Sequence, residues 1–347
     1  MATNISKKLI VSTFLLLLSV FLIACSNGDS SEGGNNDDHN LGMVAAQGSV
    51  QHEAAEMFAE LVDEKTNGEV VINVFPAGQL GSDESLGQDL SRGNLGFAFI
   101  NQGSLSGMDP LLDFHYLPFI ATNYEQVDEL YYGDGIIPQT MRETLADHGI
   151  RVLAWYENEF RGLSNSIKPV ESPEDLDGLR LRVPGSQAIM NFFQALDAQT
   201  VTIAMPELYT SLQQGTVDGQ DNGLLITFDN RLHETNNFYT RLNHVYAMST
   251  IAVSEDVWET FTEEQQKAIE EAAKETEEWQ IVENRKETEE YVQKMIDEGV
   301  EVITPSDEAF AAFQEVGIQL WDELADIYGE DRIEQLKEEV QQVSDLN

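Results

Sequence analysis

Short apolar segments alternate with amphipathic segments from residue 41 onwards. Apolar runs at Leu41–Ala46, Val70–Phe75 and Gly96–Ile100 predict strands, since each is short and bounded by polar turns. Between these runs, Gln51–Lys65 and Asp83–Ser91 carry apolar residues at helical spacing, which predicts helices with one apolar face. Strands and helices that alternate in this way predict an α/β fold.

One helical pattern in the second half of the chain is unusually long. Thr262 and Gln265 form a capping box, and the pattern that follows them continues to Gly299. At about 1.5 Å per residue, such a helix spans roughly 50 Å, which is longer than one lobe of a protein of this size. Apolar heptads are not sustained along it, so a bridge between two lobes is favoured over a coiled coil with a second chain.

The first 24 residues have the layout of a secretory signal peptide. Two lysines precede an almost uninterrupted apolar run from Leu9 to Ala24, and a polar segment rich in Gly, Ser, Asn and Asp follows. We therefore expect residues 1–24 to be removed from the mature protein and residues 25–40 to form a flexible tether. An uncleaved membrane anchor is the alternative.

The only cysteine of the chain stands directly after this apolar run. The sequence Leu22-Ile23-Ala24-Cys25 resembles a lipobox, in which the thiol after a small residue becomes the lipid attachment point and the new N-terminus. A single cysteine also excludes an internal disulfide. We expect a lipoprotein held at the outer face of the cell membrane through Cys25, because two or more acyl chains anchor a protein stably.

Acidic residues greatly outnumber basic ones. The chain has 62 Asp and Glu residues against 19 Lys and Arg residues, which gives a formal net charge of −43. Such a field repels nucleic acids and anionic membranes, which excludes recognition of either through a basic patch. It also repels anionic solutes at long range, so a carboxylate site would need a local cationic pocket shielded from the surface.

A strand near the middle of the chain carries a candidate cation for such a pocket. In Leu179-Arg180-Leu181-Arg182-Val183 the apolar residues fall on one face and the two arginines on the other, and a Pro-Gly turn ends the strand. Arg182 thus lies at a strand end, where open α/β sheets usually hold their ligands. A planar guanidinium with five donors can donate to both oxygens of a carboxylate at once, whereas lysine lacks such a fork of two parallel donors. A solvated strand arginine is the alternative interpretation.

This strand opens a stretch that resembles a known family of transport proteins. Leu179–Pro184 is followed by Ala195–Ala198 and by Glu207–Asn222, which reads ELYTSLQQGTVDGQDN. These segments resemble the patterns L-K-[IL]-R-V-P, A-L-G-A and E-V-Y-x-A-L-Q-x-G-x-V-D-G-Q-E-N-P of the substrate-binding proteins of tripartite ATP-independent periplasmic (TRAP) transporters, the DctP type. Phe75–Gly81 and Tyr116–Ile120 resemble two further elements of that family, F-P-x-x-Q-L-G and L-P-F.

The resemblance implies an architecture. It is an α/β, two-lobed periplasmic-binding-protein-like fold in which a long helix bridges the lobes. About 300 residues remain after the tether, which is enough for two lobes with separate cores. We expect lobe I to comprise residues 41–158 and 248–287, and lobe II to comprise residues 159–247 and 288–347.

The resemblance also implies roles for individual residues. Arg182 would form a two-pronged salt bridge with the substrate carboxylate, and Asn222 would contact the same ligand. Arg161 aligns with a second arginine that often faces the ligand in the family; a surface salt bridge is the alternative, since acidic partners are abundant here. The remaining candidate substrate-binding residues are Asp221, Asn101, Met205 and Trp155.

Two departures from the family pattern fall near these residues. Gly223 stands where the family usually has proline, and Asp197 stands where it usually has glycine. We therefore expect a looser backbone near Asn222 than in relatives.

The function that follows is the capture of a small organic anion outside the cytoplasm and its delivery to TRAP membrane permease subunits. A C4-dicarboxylate is the first expectation, because Arg161 would hold a second anionic group if it faces the cleft. A sugar acid or an ectoine-like solute is the alternative ligand, and a ligand-sensing partner of a membrane sensor kinase is the alternative role. We expect a monomer.

The motifs of enzymes and metal sites are missing from the sequence. The six histidines show no metal-ligand spacing, and neither a G-x-S-x-G elbow nor a P-loop occurs. His52 and Glu53 lack the second histidine of a zinc motif, because Glu56 stands in its place, and Asp218–Asn222 lacks the later glycine and glutamate of a calcium loop. We expect no catalysis, no cofactor and no bound metal.

Overall fold

The computed structural model describes residues 37–344. The signal peptide, Cys25 and most of the tether lie outside the described residues. The tether predicted to reach Asn40 is too long, because Asp37–Asn40 already belong to the first strand and pair in parallel with Val70–Asn73. Strand pairing uses backbone groups, so polar side chains do not prevent it. His39 packs edge-on against the rings of Phe97 and Phe261.

The elements follow one another in an order that confirms the predicted α/β class. The strands are β1 (Asp37–Met43), β2 (Val70–Phe75), β3 (Phe97–Ile100), β4 (Ile150–Asn165), β5 (Arg180–Val183), β6 (Gln199–Thr202), β7 (Gly219–Gly223), β8 (Phe238–Thr240), β9 (Tyr246–Ser254) and β10 (Glu301–Ile303). The α-helices are α1 (Val50–Lys65), α2 (Asp83–Ser91), α3 (Tyr124–Leu130), α4 (Ile136–Asp147), α5 (Gln187–Ala195), α6 (Met205–Gln213), α7 (Leu224–Asp229), α8 (Glu255–Trp258), α9 (Glu263–Asp297), α10 (Asp307–Glu323), α11 (Ala325–Tyr328) and α12 (Glu330–Ser344). Short 3₁₀ turns lie at Gln102–Leu105, Pro110–Tyr116, Pro173–Leu176 and Leu232–Glu234.

Hydrogen bonds link the strands in the order β2-β1-β3-β9-β4-β7-β5-β6. β1 is parallel to β2 and β3, and β5 is parallel to β6 and β7. The central strands β9 and β4 run antiparallel to each other and to their outer neighbours β3 and β7. β8 pairs with both β4 and β10. Two sets of mainly parallel strands are therefore joined through an antiparallel centre.

Strand β4 connects the two sets directly. It has 16 residues, and its first part pairs with β9, whereas Arg161–Asn165 pair with β7. The register shifts between Glu157 and Phe160, and Glu159 has a φ of 67°, which is rare for a residue with a side chain. The bulge absorbs these irregular residues, and the strand continues to Asn165.

The structure confirms the predicted long helix that bridges the two halves of the sheet, which is α9. It has 35 residues and begins with the capping box of Thr262 and Gln265. Its first half packs Ile269 against the core that includes β1 and β3, and its second half packs Tyr291 and Met295 against Leu224 of α7. One helix thus contributes to the apolar cores beside both sets of strands, which holds them in a common framework.

The largest apolar cluster gathers β5, α5 and the C-terminal helices. Leu181 and Val183 of β5 are fully buried in it, together with Phe192 of α5 and Trp321 of α10. This burial places the apolar face of β5 in the core and leaves the opposite face for Arg182. Among the helices between residues 37 and 344, none has both the length and the apolar content needed to cross a lipid bilayer.

Candidate functional site

A cavity lies where several strands of the sheet end. The residues that line it include Val44, which follows β1, Asn101, which follows β3, Pro184, which follows β5, and Asn222 near the end of β7. The full lining is Val44, Ala45, Ala46, Ser49, Gln51, Asp83, Asn101, Ser104, Tyr156, Asn158, Arg161, Arg182, Pro184, Met205, Asn222, Ile226, Asp229 and Asn230. The carboxyl ends of parallel strands are the usual place for a ligand in open α/β sheets. The space free of protein atoms is about 550 Å³, part of it open to solvent.

Arg182 reaches this cavity as a buried cation without a counter-ion. Its side chain is almost completely buried, and its Nε donates to the carbonyl oxygen of Ile203 at 2.7 Å. Within residues 37–344, its two terminal nitrogens have no hydrogen-bond partner and no carboxylate lies within 4.0 Å. Burial, together with the charge of Arg161, lowers the pKa of Arg182 to about 10, so the guanidinium is still charged at neutral pH. A carboxylate in the cavity would complete its coordination.

Arg161 also lines the cavity, but it is already paired. Its Nε lies 3.1 Å and 3.0 Å from the two carboxylate oxygens of Asp221, and its Nη2 donates to Oδ2 at 2.8 Å and to the Asp221 carbonyl at 2.7 Å. Burial alone would raise the pKa of Asp221, but the Arg161 guanidinium outweighs it and holds that pKa at about 2. Arg161 is therefore neither a surface ion pair nor a free second cation.

Asp221 lies behind Arg161 and does not line the cavity, which corrects the expectation that it forms part of the ligand wall. It is fully buried, and the Nε2 of His244, which is also fully buried, lies 3.2 Å from its Oδ1. The His244 ring is stacked on Phe192, with 5.3 Å between ring centroids. Asp221 is thus held in a rigid setting from which it orients Arg161.

Asn222 and Met205 meet at the wall next to Arg161. The Oδ1 of Asn222 accepts from Arg161 Nη2 at 3.2 Å, and its Nδ2 donates to Gln220 Oε1 at 2.7 Å. The same Nδ2 lies 3.9 Å from the Met205 sulfur, at the first turn of α6. Both side chains line the cavity.

Asn101 lines the opposite set of strand ends. Its Oδ1 accepts from the hydroxyl of Tyr116 at 2.6 Å and from the amide of Gly103 at 3.1 Å. Its Nδ2 has no hydrogen-bond partner within residues 37–344, so a donor is left for a ligand. Arg182, Asn222, Arg161, Asn101 and Met205 are therefore brought together around one cavity.

Trp155 is a second candidate, besides Asp221, that does not line the cavity. It is buried in the large apolar cluster, and the guanidinium of Arg142 lies 4.8 Å from its ring centroid. Its neighbour Tyr156 lines the cavity instead. The reason is the alternation of side chains along β4, which sends adjacent residues to opposite faces.

Two acidic residues line the cavity although no sequence motif predicts them there. Asp83, in the first turn of α2, accepts from the amide of Asn101 at 2.9 Å, and burial raises its pKa to about 7. Asp229, at the end of α7, accepts from the hydroxyl of Tyr291 at 2.8 Å, and burial raises its pKa to about 6. Among 62 acidic residues, neither has a local signal except that Asp83 follows the F-P-x-x-Q-L-G turn.

The backbone next to Asn222 is tightly packed, contrary to the looser backbone expected from Gly223. A Cβ at Gly223 would lie 2.2 Å from Cγ of Glu159, so the glutamate side chain fills the space that a proline ring would need. Glu159 accepts from the amides of Leu225 and Ile226 at 2.8 Å and 3.2 Å, at the start of α7. Burial raises its pKa to about 8. The other departure, Asp197, adopts a φ of 58°, a conformation that glycine adopts more easily.

Comparisons with known proteins place the chain among solute receptors. The family model of the bacterial extracellular solute-binding proteins, family 7 (DctP), matches residues 41–326. A solute-binding protein of Chromohalobacter salexigens is 30% identical over 304 residues, 86% of this chain and 85% of that protein. A protein of Sinorhizobium fredii designated y4mM is 36% identical over 215 residues, and the match covers 62% of this chain but only 39% of that longer protein.

Solved structures agree with these matches. A TRAP periplasmic solute-binding protein of Sulfurospirillum deleyianum with bound succinate is 26% identical, covers 86% of this chain and 98% of its own, and has a TM-score of 0.81. A TRAP periplasmic solute-binding protein of Roseobacter denitrificans with bound L-galactonate is also 26% identical over the same shares, with a TM-score of 0.79.

Removal of the charge of Asp221 is expected to destabilise the fold strongly. In Asp221→Asn, Arg161 would stay buried without its counter-ion, which typically costs about 3–5 kcal/mol of the free energy of unfolding. The exposed pair of Arg241 and Glu289 provides a control, since Glu289→Gln should cost less than about 1 kcal/mol. Chemical denaturation measures both. Equal losses in the two variants would contradict the assigned role of Asp221.

The free energy of unfolding is expected to fall as the pH rises from 5.5 to 8.5. Throughout this range Glu159 is ionised in the unfolded chain, because its ordinary pKa is 4.5. In the folded protein it keeps its proton until about pH 8. The folded state thus binds more protons, so its stability decreases with pH. Glu159→Gln should flatten this dependence by at least about 1 kcal/mol over the range. Denaturation at both pH values tests it, with Glu289→Gln as the control; parallel losses in all three proteins would refute it.

Proposed function

The chain belongs to family 7 of the bacterial extracellular solute-binding proteins, the substrate-binding proteins of TRAP transporters, and on this basis we propose that it captures its organic acid through the guanidinium of Arg182. Members of this family are extracytoplasmic receptors for small organic acids that work with membrane permease subunits, and they are not enzymes. The protein therefore binds and releases a solute without changing it.

The observation that carries the role of Arg182 is the asymmetry between the two arginines. Arg161 is neutralised by Asp221, whereas the terminal nitrogens of Arg182 have no partner in the described chain. A carboxylate that docks there forms charge-assisted bonds in a site with little water, where such bonds are stronger than at a surface. The positive charge needed in a protein of net charge −43 is thus concentrated at one buried point.

The other wall residues orient the ligand. Asn101 offers its unpaired Nδ2, and Asn222 lines the cavity between Arg161 and Met205. Arg161 adds donors from a neutral ion pair, which position a carboxylate but contribute little net charge. These side chains come from strand ends and helix starts, which are held rigidly by the sheet.

The strand β4 supports a division into two lobes that close on the ligand. Its bulge at Asn158 and Glu159 falls between the part that pairs with β9 and the part that pairs with β7. We place lobe I at residues 37–158 and 248–287 and lobe II at residues 159–247 and 288–347. Closure would remove the bound carboxylate from water and present a loaded receptor to the permease.

Two classes of ligand are found in similar receptors. One similar receptor holds succinate and another holds L-galactonate, so relatives at the same identity take a C4-dicarboxylate or a sugar acid. A C4-dicarboxylate would need a second cation in the cavity, and Arg161 is already neutralised by Asp221. The unpaired acceptors of Gln51 and Asn158 in the cavity distinguish the two classes.

The lipid anchor at Cys25 is part of the proposal and derives from the sequence Leu22-Ile23-Ala24-Cys25 alone. A receptor that remains at the membrane surface stays close to its permease, which raises the effective concentration of the loaded form. The protein acts as a monomer in this arrangement.

Replacement of Arg182 by lysine is expected to abolish ligand-induced stabilisation. A lysine keeps the charge but lacks the fork, and loss of a buried charge-assisted pair typically costs 2–5 kcal/mol, or at least about 30-fold in Kd. A thermal-shift screen of organic acids measures this, since a ligand at 100 times its Kd adds about 2.7 kcal/mol of stability.

Arg180→Lys serves as the matched control for that screen. Arg180 lies on the same strand, is 43% exposed and pairs with Asp218 outside the cavity, so its replacement should leave the shift unchanged. If Arg182→Lys binds as well as the unmodified protein, the carboxylate site is not at Arg182.

Cys25→Ser is expected to release the mature receptor from the membrane. Without the thiol no lipid can be attached, and the folded domain then partitions into the soluble fraction. Cell fractionation followed by mass spectrometry of the N-terminal peptide checks this. An N-terminal peptide of the unmodified protein that begins before Cys25 and carries no lipid would favour an uncleaved anchor instead.

A further inference from the structure

The cavity contains more hydrogen-bond acceptors than the protein itself satisfies. Gln51 uses its Nε2 to donate to Asn284 at 3.3 Å, and Asn158 uses its Nδ2 to donate to the hydroxyl of Ser249 at 3.0 Å. The carbonyl oxygens of both amides have no partner within the described chain, although both residues line the cavity. Each amide is thus held with its acceptor available to a ligand.

Two carboxyl groups add to this surplus. One oxygen of Asp83 accepts from the amide of Asn101, and one oxygen of Asp229 accepts from the hydroxyl of Tyr291. The second oxygen of each has no partner in residues 37–344. Three acceptors on three different elements, those of Gln51 on α1, Asn158 on β4 and Asp229 on α7, therefore border one cavity and require hydrogen-bond donors from whatever fills it. Asp83 of α2, whose pKa is about 7, can either accept or donate there.

The two arginines of the cavity act more strongly on Asp83 than on Asp229. The charges that act on Asp83 include both arginines, whereas those that act on Asp229 are Glu287 and Lys294 of α9. A second carboxylate at the Asp229 side would approach an acid and unpaired acceptors with no cavity arginine to stabilise it. Burying such a charge without a partner is costly.

We propose that the ligand is a polyhydroxylated monocarboxylate of the sugar-acid class, whose carboxylate binds Arg182 and whose hydroxyl groups donate to Gln51, Asn158 and Asp229. This inference rests on the proposed role of Arg182. It replaces the C4-dicarboxylate expectation, because the second carboxylate of a dicarboxylate offers only acceptors to Gln51, Asn158 and Asp229, whose own unpaired oxygens need donors. Hydroxyl groups suit separated acceptors better than an ammonium group, since an ammonium concentrates its donors at one point.

A matched series of six-carbon acids tests the proposal by calorimetry. Aldonates and uronates of several stereochemistries carry one carboxylate and many hydroxyl groups, hexanoate lacks the hydroxyl groups, adipate has a second carboxylate, and 6-aminohexanoate has an ammonium group. We expect at least one aldonate or uronate to bind more than about 100-fold tighter than hexanoate, adipate, succinate or 6-aminohexanoate, because a site built to hydrogen-bond hydroxyl groups rejects analogues without them.

The outcomes separate this inference from the proposed function. Tighter binding of succinate, adipate or 6-aminohexanoate than of every sugar acid, with binding lost in Arg182→Lys, would overturn the ligand class and leave the role of Arg182 intact. Binding of any acid that Arg182→Lys does not weaken, or of no acid at all, would overturn both.

Asp229→Asn provides a second and independent readout. The substitution removes a negative charge and replaces one acceptor oxygen by a donor, so the Kd of the best sugar acid should rise about 10-fold while that of adipate falls. Asp322→Asn, an exposed residue paired with Lys337, is the control and should change neither. Thermal unfolding of the free variants shows whether each is folded. An Asp229→Asn protein with both dissociation constants unchanged would contradict a donor at this position.

Discussion

A buried guanidinium without a counter-ion is the constraint on which the binding site depends. Within residues 37–344, the only hydrogen bond that the Arg182 side chain makes is to the carbonyl oxygen of Ile203, and no carboxylate pairs with it. Desolvation of a charge is costly unless an opposite charge replaces the lost water. The free protein therefore maintains an unfavourable arrangement that an anion relieves, and this difference between the empty and the filled site is what makes binding selective.

The surroundings of Arg182 preserve that difference. Arg161 is charged and close, yet the bidentate pair with Asp221 cancels most of its field and fixes its position. Asp83 and Asp229 place acidic groups on the same cavity, and burial keeps their pKa values near neutrality. A strongly acidic protein can thus bind an acid, because it restricts net positive charge to one shielded place and surrounds it with acceptors.

The framework that assembles these residues depends on two long elements. Strand β4 passes from one set of strands to the other through the bulge at Glu159, and helix α9 packs against both sets. The two elements are tied together at Glu157: its backbone exchanges hydrogen bonds with Gln280 at 2.8 Å and 2.9 Å, and its carboxylate accepts from Asn284 and Arg285. The point where the strand changes partners is therefore also the point where the helix holds it, so the cavity walls share one support.

The local sequence pattern determined the bounds of several elements and the orientation of one key side chain. The bounds of β2 and α2, the capping box of α9 and the outward face of Arg182 follow from periodicity and turn residues, which depend only on neighbours in the chain. The family pattern predicted Arg161 and Asn222 at the same site as Arg182. Tertiary structure alone decided that Arg161 is neutralised, because Asp221 lies 60 positions away in sequence. It also decided that Tyr156 rather than Trp155 lines the cavity and that unpaired acceptors of Gln51, Asn158 and Asp229 meet there, because those facts depend on how β4, α1 and α7 are placed around the cavity, and no local pattern encodes that.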